Sequence, residues 1–323
     1  MKVHFHDKPD TPELKTLKEA LNEGIKLTFG PDIPQPAEYD ILVHGTPTEE
    51  QIEASQNLKA LIIPYAGLSR RTRRIMLGYP DIAVYNIHHN ASATAEMALA
   101  LLFSATKNIV PFDSRLRKGD WTPRYDDNCS ILLEGKNALI LGYGSIGKNV
   151  ARILSAIGMK VTAINRNGKK DKNGEIDVFP VSQLHEHLPS ANVLMVTIPY
   201  SPETEDMINS TELFLMPSDS LLVNVSRGPV VNEKALFKAL KTRHLFGAGL
   251  DVWYNYPKSK DLIQNTYPSD FPFHELDNVV MSPHRAGRVF EKEHHRMSHV
   301  AEVINNLAMG LEPRTRVDLE RGY

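Results

Sequence analysis

The sequence predicts an α/β protein made of two doubly wound parallel-sheet units. Two observations carry this. Short apolar runs alternate with helix-like patterns from the start of the chain, bounded by turn residues such as Gly45-Thr46-Pro47 and Gly78-Tyr79-Pro80. Further on, Asn137 to Arg152 reads as a continuously apolar strand, a G-x-G-x-x-G turn at Gly142, Gly144 and Gly147, and a helix with apolar residues at 146, 150, 153, 154 and 157. An unbroken apolar strand is what a parallel sheet covered on both faces requires.

Taken in order, the first unit has strands over Val3–Phe5, Ile41–Val43, Ala60–Ile63 and Ile82–Tyr85, with helices over Pro12–Glu23, Thr48–Gln56 and Arg70–Leu77. A helix over Ser92–Thr106 carries the chain onward. The second unit has six strands, Ala138–Leu141, Val161–Ile164, Val193–Val196, Leu221–Val225, Gly247–Leu250 and Val279–Met281, the number that two wound halves of a dinucleotide-binding Rossmann sheet need. A last helix, Phe290–Met309, is ended by Gly310 and Pro313 and has no strand of its own. It is expected to return to the first unit, which then runs over 1–100 plus 288–323 as a discontinuous flavodoxin-like unit, with the dinucleotide-binding unit over 101–287.

The glycines have separate physical tasks. Gly142 permits the tight turn, Gly144 lets the backbone approach a pyrophosphate, and Gly147 lets helix pack on strand. The helix N-terminus at Ser145 and Ile146 offers unpaired N–H groups and positive dipole to phosphate oxygens.

Composition excludes several classes. Lys plus Arg total 37 against 39 Asp plus Glu, a net charge of −2, so a nucleic-acid binder driven by phosphate neutralisation is not expected. The longest apolar stretch, Met97–Phe103, is far short of the roughly 20 residues a membrane span needs. Arg70, Arg71, Arg73 and Arg74 read as a solvated helix face. One cysteine, Cys129, allows no intrachain disulfide and fits a reducing, cytoplasmic setting. The first residues lack the apolar core of a signal peptide. Of the 13 histidines, only His295 and His299 have helical i, i+4 spacing, and no Glu follows His295 as H-E-x-x-H demands, so no metal site is expected.

Three more stretches fall at the carboxyl ends of predicted strands, where open α/β sheets bind ligands: Asn224-Val-Ser226-Arg227-Gly228, Gly249-Leu-Asp251-Val-Trp253 and Ser282-Pro-His284-Arg-Ala-Gly287. Arg227 offers a planar fork for a carboxylate, and His284 a proton donor or acceptor near neutrality.

In this order, these motifs resemble the D-isomer-specific 2-hydroxyacid dehydrogenase family along essentially the whole chain. Asn90-Ala-Ser-Ala-Thr-Ala-Glu96, Arg117-Lys-Gly-Asp-Trp121, Pro199-Tyr-Ser-Pro-Glu-Thr204 and Asn224 to Gly228 match its patterns. The resemblance implies hydride transfer between a nicotinamide and C2 of a small 2-oxo or 2-hydroxy acid, in a homodimeric enzyme working in a cleft between two domains. Arg227 would bind the substrate, His284 would protonate the nascent alkoxide, and backbone N–H groups at Ala66 and Gly67 would hold the carboxylate. Ser145, Ile146, Ile198, Pro199, Thr204, Val225, Ser226, Arg227, Asp251 and His284 would line the cofactor.

Two departures from the family pattern alter the expectation. The second cradle strand ends in Ile164-Asn165-Arg166-Asn-Gly-Lys169-Lys170 instead of an acidic residue, so Asn165 and Arg166 point to NADP(H), with NAD(H) possible. The usual glutamate partner of the histidine is replaced by Tyr256, as a glutamine replaces it in formate dehydrogenases. A neutral Tyr256 against His284 would leave the imidazole titrating near 6.5 or lower. The missing acid keeps two alternatives open, a catalytically weak nucleotide-binding sensor or interaction protein and a formate-dehydrogenase-like oxidase of a small carboxylate.

Overall fold

The computed structural model describes residues 1–127, 129–169 and 176–322. The chain divides into two compact units, Met1–Asn90 with Gly287–Tyr323, and Ala91–Ala286. In the first, strands β1 (Lys2–Phe5), β2 (Lys26–Phe29), β3 (Ile41–Val43), β4 (Ala60–Ile62) and β5 (Ala83–Tyr85) form a parallel sheet in the order β2-β1-β3-β4-β5. That is the flavodoxin-like order, its reversal lying between β1 and β3.

Alternation along each strand builds two cores. Val3, Phe5, Ile41, Val43 and Ile62 pack on Met297, Val300, Ala301 and Ile304 of the C-terminal helix Lys292–Ala308, and Leu42, Leu61, Ile63 and Val84 pack with Met76 on the other face. The terminal helix therefore completes the first unit's sheet. Each fully buried aliphatic side chain of this kind contributes roughly 1.5–3 kcal/mol.

In the second unit β6 (Asn137–Leu141), β7 (Lys160–Asn165), β8 (Asp177–Pro180), β9 (Val193–Val196), β10 (Ser220–Asn224), β11 (Leu245–Leu250) and β12 (Val279–Met281) form a parallel sheet in the order β12-β11-β10-β9-β6-β7-β8. The reversal falls between β6 and β9, paired in register from Ala138↔Val193 to Leu141↔Val196. Ligands bind at such a reversal, outside the carboxyl ends of the strands.

Three expectations are revised. The edge strands β2 and β8 are missing from the predicted set because only alternate residues are even partly covered in Lys-Leu-Thr-Phe, and Val178 alone is buried in Asp-Val-Phe-Pro. The helix Ala91–Thr106 packs on β10 and β11, and a Cβ on Gly249 would lie 2.7 Å from Leu101 Cβ. Hence the division falls after Asn90, not at residue 100, and the return falls after Ala286. No helix among the described residues is long and apolar enough to cross a membrane.

Candidate active site

The carboxyl ends of β6, β9, β10, β11 and β12 are neighbours in one sheet, and the residues that follow them carry the candidate chemistry. After β6, Gly142 has φ +107°, and a Cβ there would lie 2.8 Å from the Ile198 backbone nitrogen. Gly147 is more constrained, because its Cβ would fall 2.0 Å from the carbonyl oxygen of Gly142. Thr197, which sequence reasoning overlooked, ties the two strand ends by donating from Oγ1 to Gly142 O at 2.7 Å. Gly144 differs: nothing lies within 4 Å of where its Cβ would be. It starts the helix Ser145–Ala156 without a side-chain cap, so the first-turn N–H groups, including those of exposed Ser145 and half-buried Ile146, lack the usual intrahelical partners. Open space before an uncapped helix N-terminus fits a pyrophosphate.

At the end of β7, Asn165 is occupied by its own loop. Its Oδ1 accepts from the N–H of Asn167 at 3.1 Å and of Lys169 at 3.2 Å, and Nδ2 donates to Lys169 O at 2.8 Å. Asn165 thus shapes the turn that presents Arg166, whose side chain is exposed. Lys170 lies outside the described residues.

After β9, Thr204 Oγ1 donates to Pro199 O at 2.9 Å and accepts from Ser201 N–H at 2.7 Å, which closes the Pro199–Thr204 loop beside half-buried Ile198. After β10, buried Asn224 sets the next turn: Oδ1 accepts from Ser226 N–H at 3.0 Å and Nδ2 donates to Arg227 O at 3.1 Å. Ser226 donates from Oγ to Ile198 O, and Val225 is buried beneath. Arg227 emerges exposed, with Nη1 donating to Ser226 O at 2.7 Å and no ion-pair partner among the described residues. Gly228 is required by packing, since its Cβ would lie 2.3 Å from Trp253 O.

Asp251, expected to line the cofactor, also has a structural task. It is fully buried, and its carboxylate accepts from Ser282 Oγ at 2.5 Å, Arg285 N–H at 2.9 Å and Ala286 N–H at 2.9 Å. These bonds pin the turn after β12, in which His284 has φ +55°, a left-handed conformation unfavourable for a side-chain-bearing residue. The imidazole is open to solvent on one side and covered on the other, and its Nδ1 lies 2.9 Å from Tyr256 Oη. Trp253 fixes the tyrosine from behind: its backbone N–H donates to Tyr256 Oη at 3.1 Å, and its indole N–H to Ser282 O at 2.8 Å. Trp253 stands in one of the stretches read from the sequence, but nothing in sequence spacing reveals that its backbone anchors the tyrosine.

The electrostatics oppose a charged ring. Burial, then the Arg227 guanidinium, hold His284 below its usual 6.5, with Asp251 pulling the other way. Burial pushes the Tyr256 phenol up, against the pull of the Trp253 N–H and Arg227.

Ala66 and Gly67 belong to the first unit, in the loop after β4, where Ala66 O accepts from Asn86 Nδ2 at 2.9 Å. Among the described residues no group of three or more His, Cys, Asp or Glu could hold a metal ion.

Residues 99–286 match the family model described as D-isomer specific 2-hydroxyacid dehydrogenase, NAD binding domain. The chain belongs to this family. It is 31% identical over 284 residues to a D-3-phosphoglycerate dehydrogenase of Archaeoglobus fulgidus, covering 87% of this chain and 52% of the relative. With a glyoxylate reductase of Korarchaeum cryptofilum it shares 33% identity over 229 residues, 70% of this chain and 66% of the relative. The chain thus spans about half the length of the first and just under two thirds of the second. Among solved structures, an acyclic imino acid reductase in complex with NADPH and D-Arg has a TM-score of 0.73 and 26% identity, with 98% of this chain and 100% of that chain covered.

Proposed function

We propose that this chain is an NADP(H)-preferring reductase of small 2-oxo acids, transferring a hydride between nicotinamide and C2 and working also in reverse on 2-hydroxy acids. The observation that carries the reading is the pair of adjoining turns: Arg227 emerges after β10, and Gly228 packs on the Trp253 carbonyl of the turn that holds Tyr256 against His284. A permanently charged fork beside an imidazole suits a carboxylate next to a carbonyl.

The nicotinamide would supply the hydride when bound. Gly142, Gly144, Gly147, Ser145 and Ile146 would receive its pyrophosphate, and the loops bearing Ile198, Pro199, Thr204, Val225 and Ser226 would border the rest. The chain's own groups do the remaining work. Arg227 binds and orients the substrate carboxylate, and His284 holds the proton for the oxygen on C2. Exposed Arg166, in a strand-end loop with no acid before Lys169, supports NADPH over NADH. A 2′-phosphate there would gain a charge-assisted hydrogen bond.

The apolar side chains of Ile109, Val110, Leu116, Trp121 and Tyr125 are exposed, and a homodimer would cover them. A single cysteine supports a cytoplasmic setting. A panel of 2-oxo acids, followed by NADPH and NADH oxidation, tests the activity. Arg227→Lys should abolish turnover while nucleotide binding survives, because lysine keeps charge but loses the fork. Tight nucleotide binding with no 2-oxo acid reduced would favour a sensor instead.

A further inference from the structure

We propose that Tyr256 supplies the proton that His284 delivers: its hydroxyl donates to Nδ1, holds the imidazole neutral with hydrogen on Nε2, and gives up its proton as the Nε2 proton leaves. This rests on the reading of Arg227 and His284 given above. Its footing is the geometry of two hydrogen bonds, one of them of fixed direction. The Trp253 backbone N–H can only donate, so it occupies a lone pair of Tyr256 Oη at 3.1 Å. The hydroxyl proton remains to be placed, and among the described residues the acceptor within hydrogen-bond distance is His284 Nδ1 at 2.9 Å, to which the proposal assigns it. A neutral ring accepting at Nδ1 carries its hydrogen on Nε2.

A glutamate at this place would act in the opposite sense, accepting from Nδ1–H and favouring the charged ring. Tyr256 reverses the bond. The charged groups facing the pair are Arg227, from the turn after β10, and Asp251, at the end of β11. Asp251 already accepts from Ser282, Arg285 and Ala286, whereas Arg227 disfavours an imidazolium and favours a phenolate. A neutral imidazole by itself is a poor acid, because losing its Nε2 proton would leave an imidazolate. Coupling to the tyrosine removes that obstacle.

The step balances. With hydride delivered to C2 from a reduced nicotinamide, the C=O π pair moves onto oxygen, and that oxygen forms its O–H bond as the Nε2–H bond breaks. Nδ1 forms its N–H bond as the Tyr256 O–H bond breaks. The ring stays neutral throughout, and the charge ends on a phenolate that accepts from the Trp253 N–H and is favoured by the Arg227 charge. An alkoxide is a stronger base than a phenolate, so the transfer runs downhill. The pair is reset when water returns a proton to Nε2 of the solvent-facing imidazole and the Nδ1 proton passes back to the phenolate, which restores Tyr256 O–H and Nε2–H.

The first test needs neither cofactor nor turnover. In apo protein labelled with 15N-histidine, with His284→Gln identifying the resonances, His284 near neutral pH should be uncharged, protonated on Nε2 and bare on Nδ1. Tyr256→Phe should give a mixture of tautomers. Hydrogen on Nδ1 in the unchanged protein would overturn the proposal whatever the turnover.

The second test is a pH profile. In the unchanged protein kcat/KM for reduction should stay within about threefold from about pH 6 to 9, because the relay needs no imidazolium. In Tyr256→Phe it should fall about tenfold per pH unit above the His284 pKa, with KM little altered. Parallel profiles in the two proteins would refute the relay, since a merely structural tyrosine leaves the slope unchanged. Absence of turnover in the unchanged protein would count against the activity reading, and the tautomer would then decide the pair alone.

Discussion

Asp251→Asn is the sharpest test of how the fold holds the site. The carboxylate is fully buried and accepts from three donors, two of them the backbone N–H groups of Arg285 and Ala286. An asparagine of nearly the same shape keeps one acceptor oxygen and turns an NH2 group towards the third donor. One charge-assisted bond is lost, at roughly 1.5–3 kcal/mol, and a buried N–H faces another donor at a further 1–3 kcal/mol. Taking about 3 kcal/mol as the net, a unit of this size should lose about 6–12 °C in Tm. The left-handed backbone of His284 is unfavourable without these bonds, so kcat/KM should fall at least about tenfold while nucleotide affinity changes little. Thermal melts with steady-state rates and nucleotide titration measure all three. A variant melting within about 2 °C of the unchanged protein, with full activity, would refute the claim that Asp251 holds the His284 turn.

Further expectations concern the cradle, the cofactor and acid stability. Gly147→Ala should abolish nucleotide binding, because its Cβ would meet backbone oxygen at 2.0 Å; Gly144→Ala should fold normally yet weaken binding about tenfold or more. Unchanged affinity in the second would mean that no pyrophosphate packs there. Arg166→Ala should narrow the preference for NADPH over NADH by about 1.5–3 kcal/mol, and equal affinities in the unchanged protein would contradict the NADP reading. In the first unit, burial and then neighbouring His6 lower the His44 pKa to about 4, with Asp7 opposing. The folded ring therefore binds its proton less readily than the unfolded one. The resulting stability, about 3 kcal/mol, is fully present above pH 6.5 and is lost as pH falls from there towards 4. His44→Gln should flatten the dependence of Tm on pH over that window, and an undiminished slope would show that other groups cause it.

Most of the second unit was legible because buried parallel strands leave unbroken apolar runs, and because the turn after β6 needs glycine for reasons visible in spacing alone. The edge strands were not, since half-covered residues leave no such run. Arg227, His284 and Tyr256 could be named from motif order, and the structure adds that Tyr256 touches the imidazole. The roles of Thr197, Trp253 and Asp251 were beyond sequence reading. A backbone N–H or carbonyl that meets a distant side chain leaves no residue type behind as a signal.

The central claim, that this chain reduces 2-oxo acids with Arg227 and His284, is tested most directly by following the transferred atom. Reduced NADP deuterated on the transferred position of its nicotinamide C4 would be incubated with each 2-oxo acid, and the product examined by mass spectrometry and NMR. The account expects one deuterium on C2 of a single enantiomer of the 2-hydroxy acid from at least one substrate, and its loss in Arg227→Lys. Tight binding of the nucleotide with no deuterium reaching any 2-hydroxy acid would contradict it.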